Sequence, residues 1–279
     1  GRQEKRITVA YYKPSRFTVA SPLLIVLPGS GRNAVDYREP WIPRAEQANV
    51  LVAALGYPEA DYDFAAYQLG GVVSDLTLRN LPPLVNGELP SSLHLRDDDI
   101  GFTVNPHRDT WIFPDFDRIF RHLVHATGSR ATQYDIFGHS AGAQILHRMA
   151  LFHRTSAARR IVAANSGLYA LPMLDEPPLV GLKGTGLDAS DLKAALGVPL
   201  HLMLGALDND SERGGTQLHT PRIDQYGTNR LARGRRFFAE GERIARELGV
   251  RLRWQLHVVP GVGHDHERMG EAAFRLLYA

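Results

Sequence analysis

The chain has 279 residues, of which 44% are hydrophobic and 22% are charged, and this length is enough for one large hydrophobic core. Because 32 Lys and Arg residues nearly balance 30 Asp and Glu residues, the net charge is only +2, which gives no reason to expect nucleic acid or an anionic membrane as a partner. The sequence contains no cysteine, so disulfides, thiolate metal ligands and a cysteine nucleophile are excluded.

Membrane and targeting segments are not visible in the sequence. No stretch approaches the roughly 20 consecutive apolar residues that a membrane-spanning helix needs. A strand-like stretch begins within a few residues of Gly1, with no signal peptide before it. We therefore expect that a targeting segment has been removed, which favours a secreted or periplasmic location over the cytoplasm.

Short strand-like runs mark the chain from its beginning. Residues 6–12 (RITVAYY) alternate in polarity and predict an early antiparallel edge strand. Leu23–Leu27 (LLIVL) is apolar throughout, as expected of a strand that is buried on both faces. Further strands are predicted at residues 50–55, 134–137, 160–164, 200–204 and 252–259.

Amphipathic runs between these strands predict helices. In residues 115–127 the apolar side chains recur at spacings of three and four and form one stripe. Similar patterns predict helices at residues 143–152, 231–248 and 267–278. This alternation predicts one domain over residues 1–279, with a mostly parallel central sheet and helices on both faces.

Two long stretches interrupt the alternation. Residues 56–110 and 167–190 are rich in proline, glycine and aspartate. Loops of this length in a compact domain usually carry function or cover a site. We expect them to lie over the carboxyl edge of the sheet as a partial lid, with surface excursions of no functional role as the alternative.

The segment 138–142 (GHSAG) matches the G-x-S-x-G pattern of a nucleophile elbow. A predicted strand precedes it and an amphipathic run follows from Ala143, which is the strand–turn–helix context that the pattern requires. So tight a turn imposes strained backbone angles on Ser140, and the glycines leave room for it. We predict that Ser140 is a nucleophile held above a helix N-terminus, whose amides favour developing negative charge.

The glycine-rich turn 28–33 (PGSGRN) follows the buried strand Leu23–Leu27. Hydrolases with a nucleophile elbow place their second oxyanion donor in such a turn. We predict the backbone amide of Ala141 as the first donor and the amide of Ser30 as the second, with Gly31 as the next choice. Loss of one such donor typically costs on the order of 100- to 1000-fold in rate.

The same turn also fits the G-x-G-x-x-A fingerprint of dinucleotide binding, which would indicate a nicotinamide-dependent oxidoreductase. Three points count against this alternative. Pro40 and Pro43 predict that the next helix starts near Trp41, so no helix N-terminus would follow the glycines. The next strand ends in residues 56–58 (GYP), without the acidic residue that would bind a ribose. The serine motif would also remain unexplained.

A serine nucleophile needs a general base, and the base needs an orienting carboxylate. The chain order for this type of elbow is Ser, acid, His. Asp208 follows the predicted strand 200–204 and is the predicted acid, with Asp210 as the alternative. His264 lies in a glycine-flanked loop after the last predicted strand and is the predicted base, with His266 as the alternative.

Two other interpretations apply to the acidic segment. Residues 208–210 could form an ordinary turn, and the oxygens of residues 208–212 could bind a cation, although they lack the spacing of a calcium loop. No H-E-x-x-H or comparable ligand spacing occurs in the sequence. We therefore expect no catalytic metal and no cofactor.

Together these segments resemble the α/β-hydrolase superfamily, and particularly its poly(3-hydroxybutyrate) depolymerase-like esterases. The matching segments are residues 28–33 with Asp36 and Tyr37, residues 138–144 (GHSAGAQ), residues 229–234 (NRLARG) and residues 261–265 (GVGHD). The resemblance spans most of the chain from about Arg6 and implies the α/β-hydrolase fold. Many relatives have a histidine where Pro28 stands, but the oxyanion donors of this turn are backbone amides.

The resemblance and the serine motif predict a serine esterase that cleaves carboxylic esters through an acyl-enzyme. A serine peptidase or an acyltransferase on the same fold is the alternative. Tyr37, Trp111 and Tyr169 are the predicted substrate-binding aromatic residues, although core packing would explain each of them as well. A chain of this length predicts a small or oligomeric ester as the substrate, rather than a crystalline polymer.

Overall fold

The structure is a computed structural model that describes residues 5–84, 87, 89–212 and 214–279. Its strands are β1 (Thr8–Tyr12), β2 (Leu23–Leu27), β3 (Leu51–Gly56), β4 (Val73–Leu78), β5 (Ser92–His94), β6 (Ile100–Val104), β7 (Tyr134–His139), β8 (Ala158–Ala164), β9 (Leu200–Gly205), β10 (Gln217–His219) and β11 (Gln255–Val259). Its α-helices are α1 (Ala34–Arg38), α2 (Ile42–Ala48), α3 (Phe64–Gln68), α4 (Phe113–Thr127), α5 (Ala141–Phe152), α6 (Ala189–Leu196), α7 (Pro221–Asp224), α8 (Arg230–Glu247) and α9 (His266–Tyr278).

Seven of the described strands form a central sheet in the order β1-β3-β2-β7-β8-β9-β11. β1 runs antiparallel to β3 at one edge, and each of the other neighbouring pairs in this sheet is parallel. The predicted mostly parallel sheet and its antiparallel first strand are therefore confirmed. Parallel neighbours bring their carboxyl ends to one edge, where sites form in open sheets of this kind.

The sheet separates two hydrophobic clusters, and β2 contributes to both of them. Leu23, Ile25 and Leu27 pack in one cluster, whereas Leu24 and Val26 pack in the other. Successive side chains of a strand point to opposite faces, so an uninterrupted apolar run is required where both faces are buried. Helices α4, α5, α6 and α8 cover the first face, and α2 and α9 cover the second.

The stretch 56–110 contains more regular structure than the sequence predicts. It includes α3 and the antiparallel pair β4–β6, and its strand β5 pairs in parallel with β10. The pairing of β4 shifts register between Ser74 and Thr77, and Asp75 between them has φ of 53°. Such a bulge breaks the alternation on which strand prediction depends. The predicted role of this stretch as a lid stays a prediction.

The first helix starts earlier than Pro40 and Pro43 suggest. α1 begins at Ala34, directly after the glycine-rich turn, and the side chain of its N-cap residue Asn33 accepts a hydrogen bond from the amide of Asp36. Both prolines lie at the first turns of the elements that follow, where a missing amide hydrogen costs nothing. The expected start near Trp41 was therefore wrong.

Candidate active site

The carboxyl edge of the sheet gathers the residues predicted to carry chemistry. Ser140 follows β7 directly, and the glycine-rich turn 28–33 follows β2. Asp208 comes three residues after the end of β9, and His264 comes five residues after the end of β11. Because β2, β7, β8, β9 and β11 are successive neighbours in the sheet, these four segments meet at one edge.

Ser140 occupies the turn between β7 and α5 with φ of 56° and ψ of −115°, a conformation that costs about 1–3 kcal/mol for a residue other than glycine. Close packing explains the two glycines of the motif. A Cβ atom on Gly138 would lie 2.6 Å from the carbonyl oxygen of Gly142, and one on Gly142 would overlap the carbonyl oxygen of Leu27. The Ser140 amide donates to the carbonyl of Ala164 at 2.9 Å, which ties the turn to β8.

Three side chains form a hydrogen-bonded chain at this edge. Oγ of Ser140 lies 3.0 Å from Nε2 of His264, and Nδ1 of His264 lies 2.9 Å from Oδ2 of Asp208. The side chains of Asp208 and His264 are 1% and 8% exposed, so water competes little for these contacts. A carboxylate at Nδ1 favours the tautomer that carries its proton there, which leaves Nε2 able to accept a proton from the serine hydroxyl.

The two alternative site residues have other contacts. Asp210 accepts a hydrogen bond from Nδ2 of Asn229 at 2.9 Å, next to the start of α8. His266 is the first residue of α9, and its ring stacks on that of Tyr37 with centroids 4.3 Å apart. Neither residue is part of the hydrogen-bonded chain described above.

Asn165, which the sequence patterns did not reveal, joins two segments of the site. Its Nδ2 donates to the carbonyl oxygen of Gly263 at 2.8 Å, and its Oδ1 accepts from the amide of Gly205 at 2.7 Å. The residue is buried and has φ of 54°. Its position directly after β8, at the same edge as the other site residues, was the sequence signal that could have found it.

Glu212 is a second residue that the sequence patterns did not single out. Its Oε2 accepts from the backbone amide of His264 at 2.8 Å, and its Oε1 accepts from the amide of Gly214 at 2.8 Å. A Cβ atom on Gly263 would collide with this carboxylate. The side chain therefore holds the histidine loop at a place where only glycine fits before His264.

The turn after β2 packs against the elbow. A Cβ atom on Gly29 would lie 3.5 Å from Cβ of Ser140 and 2.9 Å from Oη of Tyr37. No hydrogen bond joins the exposed Ser30 amide to another residue that the structure describes. Ala141 is the first residue of α5, so its amide has no acceptor within the helix. Neither amide therefore has a backbone acceptor among the residues that the structure describes.

Tyr37 and His139 form a buried contact beside the elbow. Oη of Tyr37 lies 3.2 Å from Nδ1 of His139. Burial raises the pKa of Tyr37 to about 12, although a hydrogen bond with the Gly29 backbone opposes the rise. Burial, followed by the charges of His264 and His266, lowers the pKa of His139 well below its ordinary value. Both side chains are therefore neutral near pH 7.

Trp111 and Tyr169 are packed in the hydrophobic core. Trp111 is 2% exposed, packs edge-on against Phe152 and donates from Nε1 to the carbonyl of Asn105 at 3.2 Å. Tyr169 is 4% exposed and stacks on Phe237. Both rings are therefore packed in the core, and their predicted role as substrate contacts stays a prediction. Of the three predicted aromatic residues, Tyr37 is the one that contacts the elbow.

The described residues contain neither a metal-binding cluster nor a membrane-spanning helix. Within residues 5–84, 87, 89–212 and 214–279, no group of three or more His, Asp and Glu side chains is arranged to hold a metal ion. The helices of the same residues include none with both the length and the apolar character that crossing a bilayer requires. The rings of His139 and His264 lie against each other, with centroids 4.6 Å apart.

Solved structures resemble this chain over nearly its whole length. Poly(aspartic acid) hydrolase-1 from Sphingomonas sp. KT-1 is 32% identical, with a TM-score of 0.81, over 98% of this chain and 94% of that chain. LpqC, a poly(3-hydroxybutyrate) depolymerase from Bordetella parapertussis, is 27% identical, with a TM-score of 0.82, over 100% of this chain and 87% of that chain.

A more distant structure shares the fold alone. An S-formylglutathione hydrolase from Agrobacterium tumefaciens is 14% identical, with a TM-score of 0.52, over 97% of this chain and 87% of that chain. Comparison with protein-family models gives no match, and comparison with curated proteins gives none either.

Proposed function

The chain belongs to the α/β-hydrolase superfamily, in the family of depolymerase-like and esterase-like hydrolases to which its 32% identical relative belongs, and on this premise we propose that it is a serine esterase. The nucleophile is Ser140, the general base is His264 and the orienting acid is Asp208. The amides of Ala141 and Ser30 form the oxyanion hole. The proposed reaction uses no metal and no cofactor.

The hydrogen-bonded chain from Ser140 through His264 to Asp208 carries the proposal. The contact of 3.0 Å between Ser140 and His264 has the length that proton transfer from a hydroxyl to an imidazole requires, and the contact of 2.9 Å between His264 and Asp208 orients the imidazole. The strained serine also lies at the N-terminus of α5, where backbone amides stabilise negative charge. A glycine-rich turn that served a dinucleotide would not need to pack against this serine.

In the proposed mechanism, Oγ of Ser140 attacks the carbonyl carbon of an ester while its proton passes to Nε2 of His264. The amides of Ala141 and Ser30 stabilise the charge that develops on the carbonyl oxygen. The alcohol leaves with the proton from His264, and an acyl-enzyme remains on Ser140. Water then gives a proton to the same imidazole and attacks the acyl carbon. The bond from this carbon to Oγ of Ser140 breaks, the acid leaves, and His264 returns the proton to Oγ. Asp208 holds the imidazole in the required tautomer throughout.

Carboxylic esters are the proposed substrates, because an alkoxide leaving group needs less acid assistance than an amine. We propose that Tyr37, which contacts the elbow, also borders the bound substrate.

Amide hydrolysis is the second candidate function, and one observation favours it. The 32% identical relative is named for poly(aspartic acid), a polyamide, whereas the 27% identical relative is named for poly(3-hydroxybutyrate), a polyester. The same serine chemistry attacks both carbonyl types. The two substrates differ mainly in how much acid assistance the leaving group needs, which is greater for an amine than for an alcohol.

Turnover of matched substrates separates the two functions. We expect p-nitrophenyl butyrate to be cleaved with a kcat/KM at least about 100-fold above that of the matched p-nitroanilide, and we expect Ser140→Ala to abolish both activities. Oligomers of 3-hydroxybutyrate and poly(aspartic acid) test the same difference on polymers. A preference for the anilide and for poly(aspartic acid) would favour the amidase, and ester turnover that survives in S140A would contradict both.

A further inference from the structure

Arg230, the first residue of α8, is buried against the proposed acid. Its Nη1 donates to Oδ1 of Asp208 at 3.0 Å, whereas the other carboxylate oxygen of Asp208 faces His264. The Arg230 and Asp208 side chains are 2% and 1% exposed. Nη2 of Arg230 donates to the carbonyl oxygen of Gly214 at 2.6 Å. One guanidinium therefore contacts both the carboxylate and a neighbouring loop.

That loop packs against the proposed base. A Cβ atom on Gly214 would lie 3.5 Å from Cβ of His264, and one on Gly215 would lie 4.0 Å from its Nε2. Glu212 binds the same loop through the Gly214 amide. The hydrogen bond from Arg230 to the Gly214 carbonyl therefore helps to hold the loop of Gly214 and Gly215 against the imidazole of His264.

Helix stability does not explain this arginine. The N-terminus of a helix carries partial positive charge and favours acidic side chains, yet Arg230 is the first residue of α8 and no acidic residue lies in that turn. Asn229 already caps the helix by accepting from the amide of Ala232 at 2.8 Å. A buried cation at this position costs free energy unless a partner compensates it, and Asp208 is that partner.

On the basis of the proposed function, we propose that Arg230 is a positioning residue that offsets the buried charge of Asp208 and so weakens the attraction of this carboxylate for the protonated form of His264. A lone buried carboxylate would stabilise the protonated imidazole strongly. A guanidinium on the opposite carboxylate oxygen weakens that effect, because it repels the imidazolium. Loss of the guanidinium would therefore strengthen the attraction between Asp208 and a protonated His264.

Other ionisable groups face this pair from the surrounding elements. They are His139 at the end of β7, Tyr169 after β8 and Glu212 after β9. Two further groups near these elements have other contacts: Arg233 on α8 binds Asp224, and His266 on α9 stacks on Tyr37. Burial, and then the charges of neighbouring groups that include His264 and Arg230, lowers the pKa of His139 well below its ordinary value. Burial, and then Asp208, raises the pKa of Tyr169. Both stay neutral between pH 6 and 8, and all five groups are unchanged in the Arg230 variants below.

The rate at which a fluorophosphonate labels Ser140, followed from pH 5 to 9, tests the proposal without a known substrate. In Arg230→Gln and Arg230→Met we expect the acidic limb of this profile to move to higher pH by about one unit. In Arg230→Lys, which retains the charge, we expect the limb to stay within about 0.3 units. The plateau rate of R230K should fall several-fold, because one ammonium cannot reproduce the two directed contacts of the fork.

Arg233→Gln is the matched control. Arg233 lies three residues further along α8, is as buried as Arg230 and binds Asp224 and the Gly167 carbonyl instead of Asp208. We expect the acidic limb of the labelling profile of R233Q to stay within about 0.3 pH units of the wild-type position. Circular dichroism establishes which variants fold. If neither neutral variant folds, R230K decides the matter, since a shift of about one unit would contradict the proposal.

Two outcomes would overturn the inference. One is an acidic limb of the R230Q labelling profile that coincides with that of the wild type. The other is a shift of this limb in R233Q that equals the shift in R230Q. Failure of the proposed function gives a different result, because the folded wild-type protein would then not be labelled at Ser140 at any pH. A labelled wild type with an unshifted limb in R230Q would refute the role of Arg230 alone.

Discussion

Each proposed partner of Ser140 has a residue of the same type two positions further along the chain. The sequence leaves both pairs open, and the backbone places the two members of each pair differently. The amide of Asp208 closes a turn on the carbonyl of Gly205 at 3.1 Å, which keeps its side chain beside the sheet edge, whereas Asp210 reaches the start of α8. His264 precedes α9, whereas His266 lies within it and stacks on Tyr37.

Substitution of the two histidines distinguishes their roles. We expect His264→Ala to reduce ester turnover by at least about 1000-fold, because Ser140 loses its base. His266→Ala removes the stacking contact with Tyr37 and a ring contact with His139, and it should retain activity within about tenfold of the wild type. Steady-state kinetics with p-nitrophenyl butyrate measures both. A larger loss in H266A than in H264A would move the base to His266.

Glycine at position 142 is required by contact, since its neighbour is the backbone of β2. A Cβ atom there would overlap the carbonyl oxygen of Leu27, although alanine is otherwise the best helix former. We expect Gly142→Ala to lower the free energy of unfolding by at least about 2 kcal/mol and the melting temperature by about 5 °C or more. Gly31→Ala is the control, because a Cβ atom on Gly31 would meet no other atom within 4 Å. Equal melting temperatures for the two variants would contradict this account.

At the scale of the elements, the site depends on how the ends of three strands are joined. Asn165 follows β8 and binds the last residue of β9 and the loop after β11. These contacts cross between segments that are 40 and 98 residues away in the chain. The spacing between Asp208 and His264 therefore rests on a residue that belongs to neither segment.

The variant Asn165→Ala tests this connection. We expect the free energy of unfolding to fall by about 2 kcal/mol, because two buried backbone groups lose their partners, and ester turnover to fall by at least about tenfold, because the histidine loop shifts. Asn80→Ala is the control: Asn80 also has a positive φ and donates a side-chain hydrogen bond, to Asp99. We expect N80A to retain full turnover, and an equal loss of turnover in both variants would refute the positioning role.

The elements that the sequence predicts correctly are those with strong local patterns. β2 is continuously apolar and α4 has a regular stripe, so both are visible without tertiary information. β4 is hidden by the bulge at Asp75, and the five-residue helix α1 is too short to show a period. Residue patterns alone could not separate a buried Trp111 from one that lines a site, because an aromatic side chain suits both.

The same distinction applies to the site. Ser140, Asp208 and His264 could be proposed from local motifs, because each follows a recognisable strand. Asn165 and Arg230 contact residues that are 16 to 98 positions away in the chain. The position of Asn165 after β8 could have marked it as a candidate, but the partners of both residues become visible only in the fold.

At the scale of the whole molecule, buried histidines couple folding to pH. Burial, and then the charges of His257 and Arg160, lowers the pKa of His201 to about 4. Burial also lowers the pKa values of His139 and His147 well below their ordinary range. In the unfolded chain these groups bind protons near pH 6.5, so the folded state binds fewer protons. The free energy of unfolding should therefore fall as pH drops from about 6.5 towards 4.

Thermal denaturation between pH 7 and 4.5 measures this coupling. We expect His201→Gln to show a fall in melting temperature over this interval that is about 4 °C smaller than that of the wild type, because one buried group no longer titrates. His122→Gln is the control, since His122 is exposed on α4, and its curve should follow that of the wild type. Parallel curves for all three proteins would contradict a contribution from His201.

Covalent labelling of the nucleophile tests the central claim most directly. The folded protein is treated with a fluorophosphonate, and mass spectrometry of the intact chain and its peptides locates the adduct. We predict one adduct per chain, on Ser140, and none in the folded Ser140→Ala variant. An adduct that persists in S140A, or a folded wild-type protein that takes up no label, would contradict the assignment of Ser140 as the nucleophile.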